Sequence, residues 1–243
     1  MKILIIGESC KDIFHYGECK RLCPEAPVPV FNSIQTVDSG GMAMNVFNNV
    51  KIFGHHPEIL TNENWREIKK TRFVEQRSNH MFMRLDENDG DFKRSNLKSI
   101  EFDKYDAIIV SDYDKGFLTP NDLKYISSKH NLTFLDTKKV LGDWCKGFAF
   151  IKINGVEYQR TKHTIDEQMR QRMIITYGPK GCYYQGKQYK VPMVEIKDTS
   201  GAGDTFIAAL CYEFCKSSDI DRAIIFANEC STKVVQKRGV STT

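Results

Sequence analysis

Short apolar runs, each closed by polar or glycine residues, alternate along this chain with stretches of helical spacing. Residues 2–6 run Lys-Ile-Leu-Ile-Ile into Gly7, the pattern of a buried central strand that opens into a loop. Similar runs at 106–110, 132–135, 148–153 and 173–176 end in Ser111-Asp112, Asp136-Thr137, Asn154-Gly155 and Tyr177-Gly178. Residues 120–129 place Leu123 and Ile126 on one helical face. Helices are also predicted at 204–216 and at 219–237, where Ile220, Ala223, Ala227 and Val234 keep the spacing and Gly239 stops it. This rhythm predicts an α/β fold whose ligands sit at the C-terminal strand ends.

Residues 14–37 break the rhythm. Pro24, Pro27 and Pro29 exclude helix, while Val28, Val30, Ile34 and Val37 suggest strands of a small sheet standing off the main body. A hairpin over 71–74 and 81–85 is expected to join them. Gly40-Gly41 opens a predicted helix over 42–53, with Met42, Val46, Val50 and Phe53 in phase and Gly54 closing it. Residues 55–70 show little pattern, too little for a complete βαβ unit. Residues 182–184 and 188–191 flank Gly186-Lys187, a hairpin signal.

Composition narrows the function. In 243 residues, 41% hydrophobic and 27% charged content rule out a disordered chain. The net charge of +4 is mild, and the densest basic cluster (Arg66, Lys69, Lys70, Arg72) is too short for a nucleic-acid arm. Glu8, Lys11 and Asp12 follow the apolar start at once, so neither a secretory signal nor a membrane span is expected. Cys19/Cys23 and Cys211/Cys215 lack paired CxxC spacing or a nearby His. All eight cysteines read as reduced thiols in cytoplasm.

The candidate chemistry centres on Asp198-Thr199-Ser200-Gly201-Ala202-Gly203-Asp204, followed by the apolar run 206–210. Small residues before an acid read as a tight turn opening a helix, where unpaired backbone N–H groups and the helix dipole favour an anion. Asp204 at its edge is either a capping acid or a base. Asp12, after the first strand, is a candidate site residue. Gly40 and Gly41, with Asn45 one turn on, are candidates to admit a ligand hydroxyl. Asn154 and Glu157, spaced N-x-x-E at a strand end, could hold magnesium largely through water. Residues 181–187 nearly spell a P-loop, but Gln188 stands where Ser or Thr should hold magnesium, and a strand follows instead of a helix. Gly201 and Gly203 do not make a dinucleotide fingerprint either, because Phe206 takes the third glycine position. An anion hole, a base and acid or amide groups together fit phosphoryl transfer.

The 198–204 stretch resembles the C-terminal signature of the PfkB family of carbohydrate kinases, which have the ribokinase-like fold. Gly40-Gly41 with Asn45 resembles its N-terminal signature, and Asn154 with Glu157 its magnesium-associated motif. Residues 24–30 (PEAPVPV), 84–86, 111–116 and 226–242 are similar to the heptose-7-phosphate kinase branch. The resemblance implies one kinase domain over 1–243, a three-layer α/β/α sandwich, shortened, with a small β-sheet lid from strands within about 14–37 and 71–86. It implies Asp204 as base and Gly201, Ala202 and Gly203 as anion hole. Asp12, Gly40, Gly41 and Asn45 would hold sugar hydroxyls, and Arg72 and Lys115 the phosphate already on the sugar. Thr176, Gly178, Gly181 and Asn228 would approach ATP, with Mg2+ near Asn154 and Glu157.

The implied enzyme is a cytoplasmic ATP-dependent sugar kinase, phosphorylating the anomeric hydroxyl of a heptose 7-phosphate and dimeric through its lid. It is expected without the nucleotidyltransferase unit that often follows, and with no nucleic-acid or membrane partner. Alternatives are a kinase for another sugar or nucleoside, or an idle relative that only binds nucleotide or sugar phosphate. Three departures bear on the substrate: Glu8 replaces the usual Asp, Thr137 replaces Pro in the usual Asp-Pro-Lys, and the chain thins at 55–70 and 158–172.

Overall fold

The computed structural model describes residues 1–239, so Val240, Ser241 and Thr242 of the C-terminal resemblance lie outside the described residues. Strand β1 (Lys2–Gly7) forms where it was expected. It is flanked in parallel by β4 (His56–Leu60) and β7 (Ala107–Asp112). Strands β8 (Thr133–Thr137), β9 (Phe150–Asn154) and β10 (Met173–Thr176) continue the parallel set. An antiparallel hairpin, β11 (Cys182–Tyr184) and β12 (Lys187–Tyr189), completes an eight-stranded sheet.

Alternation along the strands fills both faces. Ile3 and Ile5 pack with Val46 and Val50 of helix α1 (Ala43–Ile52) and with helices α5 (Ala202–Ser217) and α6 (Ile220–Val234). Leu4 and Ile6 point the other way, onto Leu123 and Ile126 of α2 (Pro120–Lys129) and Met169 of α4 (Glu167–Arg170). The result is the expected helix–sheet–helix sandwich, with a period-2 strand core feeding two apolar layers. Helix α3 (Gly155–Thr161) and α4 are short, in the region where the pattern thins.

The small sheet is built from β2 (Ser9–Leu22), β3 (Pro29–Met42), β5 (Lys69–Glu75) and β6 (Met81–Glu87), in the order β3-β2-β5-β6. It starts earlier than residue 14. Asp12 therefore lies within β2 and not on a loop, and Gly40 and Gly41 end β3 instead of opening α1. The helical phase of 42–53 is correct from residue 43, but the glycines before it are claimed by pairing with Lys11 and Cys10. Strand β4 falls in the segment expected to be patternless; β1 supplies its hydrogen bonds, so it needs little apolar signal of its own. Ser111, Asp112, Asp136, Thr137 and Asn154 are the last residues of their strands, not loop residues beyond them.

Candidate active site

Helix α5 begins directly after Gly201, which adopts the left-handed conformation (φ 79°) that a side chain resists, and among the described residues no side chain caps the terminus. The Ala202 N–H turns back to Thr199 O at 3.3 Å, and Ser231 Oγ of α6 donates to Ala202 O at 3.1 Å. Asp198 braces the turn by accepting from Ser200 N and Gly239 N at 2.8 and 3.1 Å. Gly203 is a close-approach position. A Cβ there would come within 2.9 Å of Lys152 Nζ and 3.8 Å of Asp136 Oδ2.

Asp204, one residue on, is 4% exposed. Its Oδ2 accepts from Asn45 Nδ2 at 2.9 Å and its Oδ1 from the Tyr113 hydroxyl at 2.7 Å. Burial pushes its carboxyl up to about 6 despite both hydrogen bonds; nearby Asp136 adds to the rise and Lys152 opposes it. Beneath lies a buried ion pair, Lys152 Nζ to Asp136 Oδ2 at 2.8 Å, whose second carboxylate oxygen has no hydrogen-bond partner among the described residues. Asn45 is itself set by Asn49, whose amide donates to Asn45 O and Oδ1, and Thr205 Oγ1 donates to Asn49 Oδ1.

A cleft of about 770 Å³ opens over this group, between Asp204 and Gly203 on one side and Lys138, Asn154 and Thr176 on the other. A second cavity of about 370 Å³ continues from it through the shared Thr176, Gly178 and Gly203. Its walls are mainly apolar, including Val191, Val194, Ile196, Phe206 and Val235, with Asn228 and Gly181 at its edge. Asn228 donates to Tyr189 O at 3.2 Å. The expected nucleotide residues thus share one continuous space with Asp204. An apolar slot beside a polar, glycine-lined end fits a nucleotide: base in the slot, phosphates toward the helix terminus.

Asn154 caps α3 through its side chain, and Glu157 answers from the third helical position, a reciprocal capping box. Glu157 also pairs with Lys138. Lys138 is raised overall: burial works against its charge, but Asp136 and Glu157 outweigh it. Among the described residues no group of three or more His, Cys, Asp or Glu could hold a metal ion. With its carboxylate engaged by Lys138 and Asn154, Glu157 suits a magnesium ion carried on nucleotide phosphates and reached through water.

The expected sugar residues lie where the lid meets the sandwich. Asp12 Oδ1 pairs with Arg72 at 2.6 Å, and a Cβ on Gly41 would reach Asp12 Oδ2 at 2.1 Å, so only glycine lets the carboxylate lie across β3. Arg72 also stacks over the Phe14 ring. Lys115 pairs with Asp89 at 2.6 Å, and Lys70 with the other oxygen of that carboxylate at 2.9 Å. In this conformation neither cation expected to take a sugar phosphate is unpartnered.

Sequence reasoning missed Tyr113 and the Lys152–Asp136 pair as parts of the site. A charged residue inside the apolar run 150–153 was the available signal for Lys152, since a buried charge demands a partner.

The C-terminal part of the chain, residues 150–243, matches the model of the pfkB family carbohydrate kinases. The bifunctional protein HldE of a Nitratiruptor species is 27% identical over 99% of this chain, and that of Helicobacter pylori is 28% identical over 98%. Over that C-terminal part the chain is similar to the PfkB carbohydrate kinases. It spans 63% of the length of these relatives. Solved structures agree on the fold. The nucleoside kinase of Methanocaldococcus jannaschii superposes with a TM-score of 0.70 at 16% identity, covering 98% of this chain and 93% of its own. The ribokinase of Thermotoga maritima gives 0.72 at 14%, covering 98% and 94%.

Proposed function

We propose that this chain is a PfkB-type, ATP-dependent kinase that phosphorylates a sugar phosphate, with the anomeric hydroxyl of a heptose 7-phosphate as acceptor. The observation that carries the reading is the position of Asp204, a buried carboxylate at a helix N-terminus that opens directly on a nucleotide-shaped cleft. Raised to about 6, it is ionised at neutral pH yet close enough to that pH to take a proton readily.

In the proposed reaction the sugar oxygen forms a bond to the terminal phosphorus as the bond to the nucleoside diphosphate oxygen breaks. The alcohol proton passes to Asp204. Backbone N–H groups of the Gly201–Ala202–Gly203 turn, that of Ala202 exchanging its long bond to Thr199 O, take the charge of the migrating group, and Lys152 beneath Gly203 adds a fixed positive charge. Magnesium on the nucleotide neutralises phosphate charge; Asn154 and Glu157 would hold it through water. Asp12, Gly40, Gly41 and Asn45 hold sugar hydroxyls, and the four-stranded sheet closes over them to exclude water as a competing acceptor. An Arabidopsis thaliana ribokinase of the same fold (TM-score 0.69, 13% identity) is described in complex with ribose and ATP, which supports a sugar and ATP as the pair of ligands.

The heptose reading rests on residues 24–30, 84–86 and 111–116 and on Arg72 and Lys115 at the lid. A second reading, an uncharged sugar or nucleoside acceptor, is favoured by one observation: both cations are already neutralised by Asp12 and Asp89. ATP turnover with heptose 7-phosphate, fructose phosphates, ribose and a nucleoside separates the two. The first reading expects heptose 7-phosphate to be preferred, with Lys115→Ala raising its KM alone. Preference for ribose or a nucleoside overturns it. The lid also exposes Ile34, Val37, Met81, Met83 and Leu85, an apolar surface that supports a homodimer of facing lids. Among the described residues no helix is long and apolar enough to cross a membrane, and eight free thiols suit the cytoplasm.

A further inference from the structure

Two side chains grip Asp204, and of the two only Asn45 has been given a role at the site. The other is Tyr113, in the connection after β7. Its hydroxyl donates to Asp204 Oδ1 at 2.7 Å, and its ring stands 5.6 Å from Lys138 Nζ. The loop that carries it hangs on Glu8. This carboxylate is fully buried and accepts from the backbone N–H of Tyr113 at 2.9 Å and of Lys115 at 3.1 Å. At the far end of the same loop, Lys115 Nζ is tied to Asp89, which also holds Lys70 of β5. A buried acid costs free energy unless its acceptor capacity is used, and here it is used to fix three residues of backbone.

We propose that Tyr113 is a positioning residue for Asp204 and that Glu8, acting through the backbone of residues 113–115, sets where the Tyr113 hydroxyl points. The inference rests on the reading of Asp204 as base. The hydroxyl fixes the carboxylate plane and stabilises its charged form, while Oδ1 keeps a second acceptor site for the substrate alcohol. Burial, and then the charge of Asp204, push Tyr113 well above its ordinary range, so it remains a proton donor throughout the working pH range. The other titratable groups facing Asp204 are Asp136 of β8, Lys152 of β9, Lys138 beyond β8 and Cys10 of β2. None of these four makes a hydrogen bond to its carboxylate among the described residues.

The test is Tyr113→Phe, which removes one oxygen and keeps the ring. Two midpoints are read: the acidic limb of the kcat–pH profile, and the titration of the Asp204 carboxyl carbon by NMR in ligand-free protein, assigned with Asp204→Asn. Both are expected to move up by about one pH unit, the usual worth of a hydrogen bond to a charged group. kcat below neutrality falls roughly tenfold, with KM for both substrates within about twofold. Glu8→Gln, which turns an N–H against the loop donors, moves the same midpoints in the same direction. Unmoved midpoints in Tyr113→Phe overturn the proposal and leave Tyr113 a packing residue. A wild-type protein without phosphoryl transfer overturns the kinase reading instead, and the carboxyl titration still decides the role of Tyr113.

Discussion

Asn45 and Asp204 are 159 residues apart along the chain and joined by a 2.9 Å hydrogen bond in the core of the fold. The first sits one turn into α1 and the second one turn into α5, two helices that pack on the same face of the large sheet. The bond ties the end of the lid strand β3, through α1, to the proposed base. In the proposed reaction it would let the element that receives the sugar fix the group that deprotonates it.

Asn45→Ala tests that tie. It strips one donor from a buried carboxylate and removes the acceptor that orients Asn49, so unfolding in urea should show a loss of about 1–3 kcal/mol. The acidic limb of kcat should move to higher pH, because the lost bond favoured the ionised form. An unchanged limb would mean that the Asn45 contact is structural only.

Asp204 makes stability depend on pH in an unusual direction for an acid. Its folded value of about 6 lies above the unfolded 3.8, so between those values the folded state holds a proton that the unfolded chain has lost. Stability therefore falls as pH rises from about 4 to 6 and the penalty persists above. Asp204→Asn removes it. The variant should be more stable than the wild type at pH 7.5, by up to about 3 kcal/mol, with the gain gone near pH 4. Equal stability at both values would contradict the raised titration.

The Lys152–Asp136 pair should behave as a buried couple. Lys152→Met leaves Asp136 charged and unpaired, a cost of about 3–5 kcal/mol, and adding Asp136→Leu should recover much of it. Thermal melts of the two single variants and the double variant give the coupling. Additive losses would show that the two groups act independently.

Much of this architecture was legible in the chain because it rests on local pattern. Strand β10 and helix α2 appear with the bounds that periodicity suggests, and Pro120 with the Thr119–Asp122 capping box makes the start of α2 sharp. The turn before α5 was legible because its chemistry is contiguous. What escaped depends on distant partners. β4 exists because β1 offers it an edge. Asp12 and the Gly40-Gly41 pair were taken into long strands by register with each other. Tyr113, Asp136 and Lys152 show no spacing that marks them, since they meet Asp204 and Gly203 only when the strand ends come together.

Gly203→Ala separates catalysis from stability. Alanine is the better helix former by about 1 kcal/mol, but its Cβ would stand 2.9 Å from Lys152 Nζ and force the ammonium aside. Melting should change by no more than a few degrees, while turnover falls by roughly tenfold or more. Turnover at the wild-type rate would remove Gly203 and Lys152 from the site.

The most direct measurement is transfer of the terminal phosphoryl group of ATP to heptose 7-phosphate by the wild type and by Asp204→Asn, with ligand binding followed in parallel by calorimetry. With the wild type, a phosphate is expected on the anomeric oxygen. In the variant, binding is retained and turnover falls by roughly 10²–10⁴, the worth of a positioned base. Turnover by Asp204→Asn at the wild-type rate would contradict that role.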